Sequence, residues 1–273
     1  MKFGILGGGS IGARHYANLL QLGHETLLYD PVAHQDFGCA SREEVFAWAD
    51  AMVIATPTTR HYDDLMDCMD AGKPTFVEKP IAANQQEWEE ISRLRELPQI
   101  FVGYNLRFHP LVRAAKNRLD GKTIGQPLYA SFILAQISLK PDYLRDGVVL
   151  NWSHEIDLAR YLLGPCEVVF SVIRKDPIED EADIHMVHHG FIRSDVHLNY
   201  ISEPQCRKFT IVGTKGAFTV DLTTNPEAFA QSYRDEMRAF LDHIAGKPTS
   251  GATGDDGCAV LQLCLDARRT AGL

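Results

Sequence analysis

The sequence predicts two domains: a parallel, doubly wound α/β domain over residues 1–119 and an α+β domain with a mostly antiparallel open sheet over residues 120–273. Short apolar strands alternate with amphipathic helices up to residue 119, as in a parallel sheet covered on both faces. Beyond that point, strand-like segments follow one another with few helices between them. The 273 residues suit two domains of ordinary size.

The first element is a strand over Phe3–Leu6, followed by a glycine turn and a segment with helical periodicity. The predicted binding turn comprises Gly7, Gly9, Ser10, Ile11 and Gly12. In this G-x-G-x-x-G arrangement the first glycine reverses the chain, the second admits a pyrophosphate, and the third allows close helix packing. Because helix-start amides bind phosphates, the turn predicts a dinucleotide cofactor on a Rossmann-type domain.

A second strand over 24–29 ends at Asp30, 18 residues beyond Gly12. A carboxylate at this distance hydrogen-bonds the adenosine ribose hydroxyls, and it would repel a 2′-phosphate. The spacing therefore favours NAD over NADP. The alternative is that Asp30 merely starts a turn before Pro31.

The rest of the first domain continues the alternation. In chain order we predict helix 41–49 with a capping box between Ser41 and Glu44, strand 51–55, helix 61–71, strand 74–78, helix 84–97 and strand 99–104. The residues that follow the five strands are Gly7, Asp30, Thr56, Lys79 and Asn105. Since ligands bind at the carboxyl ends of parallel strands, we expect these residues to line one cleft.

The second domain is predicted to be rich in strands. The predicted strands are 127–139, 167–174, 185–193, 195–201, 208–213 and 217–222, and the predicted helices are 153–163, 226–245 and 255–271.

Composition narrows the class of protein. The net charge of −9 and the lack of a basic stripe argue against nucleic acid, and no apolar run is long enough for a membrane span. The six cysteines include no C-x-x-C pair, so reduced thiols and a cytoplasmic location are expected. No metal site is predicted, because the adjacent His188 and His189 point to opposite faces of a strand.

Two groups of residues suggest chemistry. Lys79 follows a strand at the cofactor edge, where its ammonium could stabilise an alkoxide. The alternative is a surface lysine paired with Glu78. In the second group, Asn151 precedes a helix on which His154 and Asp157 share a face, so His154 could exchange a proton while Asp157 orients its ring. The alternative is that His154 packs between the domains and Asp157 binds a backbone amide.

Taken together, these motifs resemble the glucose-fructose oxidoreductase, inositol dehydrogenase and MocA family of NAD(P)-dependent oxidoreductases. The segments that carry the resemblance are GILGGGSIGARH (4–15), VIATPTTRH (53–61), AGKPTFVEKP (71–80), GYNLRFHP (103–110), SHEIDLARYLLG (153–164), IVGTKGAFTVD (211–221) and SYRDEMRAFLDHIAG (232–246). Together they span nearly the whole chain.

The resemblance implies hydride transfer at a carbon of a sugar, polyol or nucleotide-linked sugar, in a cleft between the two domains. It also implies that the open sheet makes an oligomer interface, so a dimer or tetramer is expected. It implies roles for Lys79 as catalytic lysine, His154 as proton-transfer residue, Asn105 and Arg107 at the nicotinamide end or on substrate hydroxyls, and Thr56, Pro57 and His61 near the adenine ribose and pyrophosphate. Glu78, in the same EKP motif as Lys79, is expected on the cofactor side, and Asn151 and Asp157 on the substrate side.

The chain departs from the family pattern in two ways. Many relatives carry an aspartate three or four residues before the histidine, where this chain has Leu150 and Asn151. An amide cannot take a proton, so the relay must end at His154 or pass to water. The chain is also shorter than most relatives. Two other functions remain open: a dinucleotide-binding sensor without turnover, and a glycosidase that oxidises its substrate only transiently.

Overall fold

The computed structural model describes residues 1–32, 41–94, 99–137, 141–223 and 225–273, and the chain divides into two compact units. The first unit comprises Met1–Asn105 and Tyr233–Cys258, and the second comprises Leu106–Ser232 and Ala259–Leu273. This division differs from a single boundary after residue 119, because a late strand pairs with the first sheet.

The first unit contains the predicted parallel sheet. Its strands are β1 (Lys2–Leu6), β2 (Glu25–Tyr29), β3 (Ala51–Ile54), β4 (Thr75–Glu78), β5 (Ile100–Gly103) and the short β12 (Ala252–Thr253), in the order β12-β5-β4-β3-β1-β2. The first five strands pair in parallel, and β12 joins β5 in the antiparallel direction. The order reverses at β1, which lies between β2 and β3, so the glycine turn lies where such sheets bind ligands.

The helices of the first unit are α1 (Ser10–Gln21), α2 (Arg42–Trp48), α3 (Thr58–Asp70) and α4 (Gln85–Ile91). The capping box is confirmed, because the Ser41 hydroxyl accepts from the Glu44 amide and the Glu44 carboxylate accepts from the Ser41 amide. Helix α3 begins three residues before the predicted start, and α4 ends at Ile91 rather than at residue 97. Residues 95–97 of that prediction lie outside the described residues.

The core of the first unit is aromatic. Phe76 stacks on Phe101 with ring centroids 5.7 Å apart, and Phe240 meets both rings as well as Phe3. Phe240 belongs to α8 (Pro226–Ile244), so this helix covers the strands that carry the other three rings.

The second unit is built on a mixed six-stranded sheet. Its strands are β6 (Pro127–Ala135), β7 (Cys166–Lys175), β8 (Glu179–His188), β9 (Ile192–Asn199), β10 (Cys206–Gly213) and β11 (Gly216–Asp221), in the order β11-β10-β6-β9-β8-β7. The β6–β9 pair is parallel and the other pairs are antiparallel. One face is buried, as shown by Ala182, Ile184, Val196 and Leu198.

Helices of the second unit are α5 (Pro110–Asp120), α6 (Pro141–Asn151), α7 (His154–Leu163), the start of α8 and the larger part of α9 (Gly254–Thr270). The predicted helices 153–163, 226–245 and 255–271 are confirmed within one residue at each end. Helices α5 and α6 were not predicted, although α5 carries ordinary signals: Pro110 in its first turn and Gly121 directly after it.

The predicted boundary between β8 and β9 was wrong. Strand β8 begins at Glu179 and ends at His188, and the turn contains Gly190 and Phe191, both with positive φ. Apolar residues alternate with polar ones on either side of this turn, so the period of two continues into both strands and does not mark the boundary.

Candidate active site

The glycine turn has the geometry that a pyrophosphate requires. Gly7 has a φ of 99°, and a Cβ on Gly12 would collide with the carbonyl oxygen of Gly7. Gly9 is the N-cap residue of α1, and a Cβ added there would meet no described atom within 4 Å. No side chain caps the first turn of α1, and the space beside Gly9 is open, which fits a phosphate bound by the amides of that turn.

Asp30 lies directly beside this turn. Its Oδ2 accepts a hydrogen bond from the Gly8 amide at 2.5 Å, and its Oδ1 accepts one from the Val32 amide at 2.7 Å. These bonds fix the carboxylate beside the turn, at the end of β2. A carboxylate oxygen in this place could accept a hydrogen bond from a ribose hydroxyl.

Thr56 and Pro57 follow β3 and lead into α3. The Thr56 hydroxyl donates to Asp64 Oδ2 at 2.8 Å, and Arg42 holds the other oxygen of Asp64 at 2.7 Å. Asp64 is buried, so its bonds to Thr56 and Arg42 fix the segment that follows β3. Sequence reasoning did not identify Asp64.

Glu78 ends β4 and is held by a histidine from α1. His15 Nε2 donates to Glu78 Oε1 at 2.7 Å, while Glu78 Oε2 accepts from the Lys79 amide at 3.3 Å. His15 is fully buried and packs edge-on against Phe76. Sequence reasoning counted His15 only as part of the helix pattern; a polar side chain on the buried face of α1 was the available signal.

His61 is buried on α3, with both ring nitrogens facing carbonyl oxygens. Nδ1 lies 2.7 Å from the Pro80 oxygen and Nε2 lies 2.9 Å from the Thr56 oxygen. Burial lowers the pKa of His61, even though the two carbonyl acceptors raise it. The neutral ring has one N–H, so it donates to one of these carbonyls at a time.

Arg107 and Asp157 form a buried ion pair in the second unit. Arg107 donates from Nη2 to Asp157 Oδ1 at 2.5 Å and from Nε to Oδ2 at 3.0 Å, and both side chains are at most 4 % exposed. The Asp157 carboxylate thus neutralises Arg107, and its predicted role in orienting the His154 ring stays a prediction. Asn105, the last residue of the first unit, is also buried.

His154 is the first residue of α7, and Ser153 precedes it as the N-cap residue. The residue is partly exposed, whereas Asn151 and Glu155 on either side are buried. Arg207 fixes this helix start by donating from Nε to Glu155 Oε1 at 2.7 Å. Glu155 was not identified from the sequence.

Most of the cysteines and of the side chains that could ligate a metal lie in the described part of the chain. No group of three or more His, Cys, Asp or Glu side chains there could hold a metal ion. Burial raises the pKa of Cys68 and Cys258 to about 12 and that of Cys166 to about 11, so these thiols stay protonated at neutral pH. Cys39 lies outside the described residues. None of the described helices is long and apolar enough to cross a bilayer.

The fold and the glycine turn define the class of protein, a dinucleotide-binding oxidoreductase with a Rossmann-type domain. A model of the "Oxidoreductase family, NAD-binding Rossmann fold" matches residues 1–103, and a model of the "GFO/IDH/MocA C-terminal domain" matches residues 112–219. The chain therefore belongs to the GFO/IDH/MocA family of NAD-dependent oxidoreductases, as its motifs predicted.

Named relatives include two inositol dehydrogenases. "Inositol 2-dehydrogenase 2" of Mycolicibacterium vanbaalenii is 26 % identical over 97 % of this chain and 91 % of its own length. "scyllo-inositol 2-dehydrogenase (NAD(+))" of Bacillus subtilis is 36 % identical over 42 % of this chain and 35 % of its own length. Among solved structures, the WlbA dehydrogenase of Bordetella pertussis, in complex with NADH and UDP-GlcNAcA, has the same fold, with a TM-score of 0.85, 21 % identity and coverage of 99 % of this chain and 96 % of its own.

Proposed function

We propose that this protein is an NAD-dependent dehydrogenase or reductase of a secondary alcohol or ketone on a polyol, sugar or nucleotide-sugar ring. The observation that carries the proposal is that Lys79 directly follows a parallel strand of a domain whose glycine turn fits a pyrophosphate. Relatives named for inositol and a fold neighbour holding UDP-GlcNAcA supply the substrate classes to be tested.

Bound NAD supplies the acceptor or donor of the hydride. Gly7, Gly9 and Gly12, with the amides of Ser10 and Ile11, would hold its pyrophosphate. The Lys79 ammonium holds the reacting oxygen and favours its alkoxide form, because a positive charge stabilises the developing negative charge. His154 exchanges the proton of that alcohol with solvent, a step that suits an imidazole at neutral pH.

The experiment is a substrate screen of the purified protein. Inositol isomers, hexoses and UDP-sugars are offered with NAD, and NADH formation is followed by absorbance. We expect one ring class to support turnover. A protein that binds NAD but oxidises none of these compounds, and reduces none of the matching ketones with NADH, would instead be the sensor alternative. Cleavage of glycosides without net NADH would favour the glycosidase alternative.

The preference for NAD depends on Asp30 in this proposal. Asp30→Asn removes the charge but keeps the side-chain shape that supports Gly8 and Val32. We expect the ratio of kcat/KM for NAD to that for NADP to fall by at least about tenfold, roughly 1.4 kcal/mol. Asp50→Asn is the matched control, because Asp50 also accepts a backbone amide, that of Lys2 at 2.8 Å. An unchanged ratio in Asp30→Asn means that Asp30 does not read the ribose.

We also propose that the protein is a homo-oligomer, joined through the outward face of the second sheet. On that face Phe170 and Val172 of β7 are 53 % and 55 % exposed, opposite the buried side of Ser171. Large exposed apolar side chains on a sheet face are typical of an interface, and a second copy offers the same surface. Light scattering should give a dimer or larger species for the wild type and a smaller one for Phe170→Lys. A monomeric wild-type protein contradicts this.

A further inference from the structure

Lys79 has a buried histidine beside each of its chain neighbours. On one side, His15 from α1 hydrogen-bonds the Glu78 carboxylate at 2.7 Å. On the other side, His61 from α3 reaches the Pro80 carbonyl at 2.7 Å. All of these residues belong to the first unit, so the arrangement is local to the end of β4. Two helices that flank the predicted cofactor turns thus contact the segment that presents Lys79.

The first contact extends to the Lys79 backbone itself. Glu78 bonds His15 through Oε1, and its Oε2 accepts from the Lys79 amide at 3.3 Å. The strand neighbour of Glu78 is Gly103, and a Cβ there would lie 3.0 Å from Oε2. A side chain at position 103 would therefore crowd the carboxylate, and His15 fixes its orientation.

A histidine at position 15 destabilises the folded state in one respect. Its ring is fully buried against Phe76, and its Nδ1 has no hydrogen-bond partner among the described residues. An unsatisfied buried polar atom destabilises the folded state, and an apolar side chain at this position would avoid that penalty. The imidazole offsets this destabilisation through its hydrogen bond to Glu78.

The second contact ties two strand ends together. His61 faces both the Pro80 carbonyl after β4 and the Thr56 carbonyl after β3. Burial lowers the pKa of the His61 ring most, while the charge of Glu78 raises that pKa and the charge of Lys79 lowers it further. His61 therefore connects the residue that directly follows Lys79 to the end of the neighbouring strand β3.

We propose that His15 and His61 are positioning residues that fix Glu78 and Pro80, and thereby the place of the Lys79 ammonium. Neither histidine needs to touch substrate or cofactor in this role. The inference rests on the proposed function, in which Lys79 holds the reacting oxygen. A displacement of about 1 Å at such a group costs up to about 100-fold in rate.

The test compares apolar with conservative variants. His15→Leu and His61→Leu should lower kcat about 10- to 100-fold with little change in the KM for NAD. His15→Gln retains an N–H donor near the place of Nε2, and His61→Asn retains one near Nδ1, so both should recover most of the lost kcat. Asn18→Ala is the matched control, since Asn18 is a buried polar residue on α1 whose Nδ2 has no hydrogen-bond partner among the described residues.

A second readout needs no turnover. In the cofactor-free protein with ¹³C-methylated lysines, the Lys79 resonance is assigned by its loss in Lys79→Arg. We expect it to shift or broaden in His15→Leu and His61→Leu, and to stay in place in Asn18→Ala. The proposal is overturned if both Leu variants match Asn18→Ala in kcat and in this resonance. Full activity of Lys79→Ala would overturn the proposed function instead, whatever the histidine variants do.

Discussion

Lys79→Ala should lose about 10²- to 10⁴-fold in kcat/KM for the alcohol substrate, because the group that stabilises the alkoxide is removed. NAD affinity, measured by fluorescence or calorimetry, should change by only a few fold, since the glycine turn and Asp30 are untouched. Lys116→Ala is the control: this lysine lies on α5 in an i, i+4 pair with Asp120 and should behave as wild type.

His154→Ala belongs to the same prediction and should lower kcat by a comparable factor with unchanged NAD affinity. The residue is the partly exposed first residue of α7. If Lys79→Ala and His154→Ala both bind NAD normally and turn over at the wild-type rate, the proposed mechanism is wrong.

The second large effect concerns stability. Arg107→Ala should lower the free energy of unfolding by about 3–5 kcal/mol, because it leaves the Asp157 carboxylate buried without its counter-charge. The measurement is urea unfolding followed by circular dichroism. Arg60→Ala is the control, since the Arg60–Asp63 pair is more than half exposed and should be worth less than about 1 kcal/mol.

Replacing both partners distinguishes the loss of the ion pair itself from the effect of leaving one buried charge without a partner. The double variant Arg107→Leu with Asp157→Leu should recover most of the lost stability, because no unpaired charge is left buried. A small effect of Arg107→Ala, similar to that of Arg60→Ala, would contradict the structural role. A loss of substrate affinity with full stability would instead favour the predicted contact of Arg107 with substrate.

Local features of the fold could be predicted from the sequence. The glycine turn, the capping box at Ser41 and the start of α7 each depend on a few neighbouring residues, and each was found where it was expected. The boundary between strands β8 and β9 was predicted wrongly, because the alternation of apolar and polar residues continues on both sides of the turn at Gly190. Helix α5 had signals of its own, in Pro110 and Gly121, which were overlooked.

The partners of buried polar residues could not be predicted. His15 and Glu78 are 63 residues apart, and Arg107 and Asp157 are 50 apart, so no spacing rule connects them. The sequence therefore identified Glu78, Arg107 and Asp157 as site candidates without their ion-pair or hydrogen-bond partners. Their assigned contacts with cofactor and substrate stay predictions.

The central claim is that hydride passes between a secondary alcohol carbon and NAD on this protein. The most direct measurement uses the best alcohol from the substrate screen, with deuterium on the carbon that bears the reacting hydroxyl. After turnover the reduced cofactor is analysed by mass spectrometry and NMR. The account predicts one deuterium at the nicotinamide C4 position for each ketone formed. With Lys79→Ala, almost no labelled cofactor should form in the same reaction time. Reduced cofactor without deuterium, or product without reduced cofactor, would contradict it.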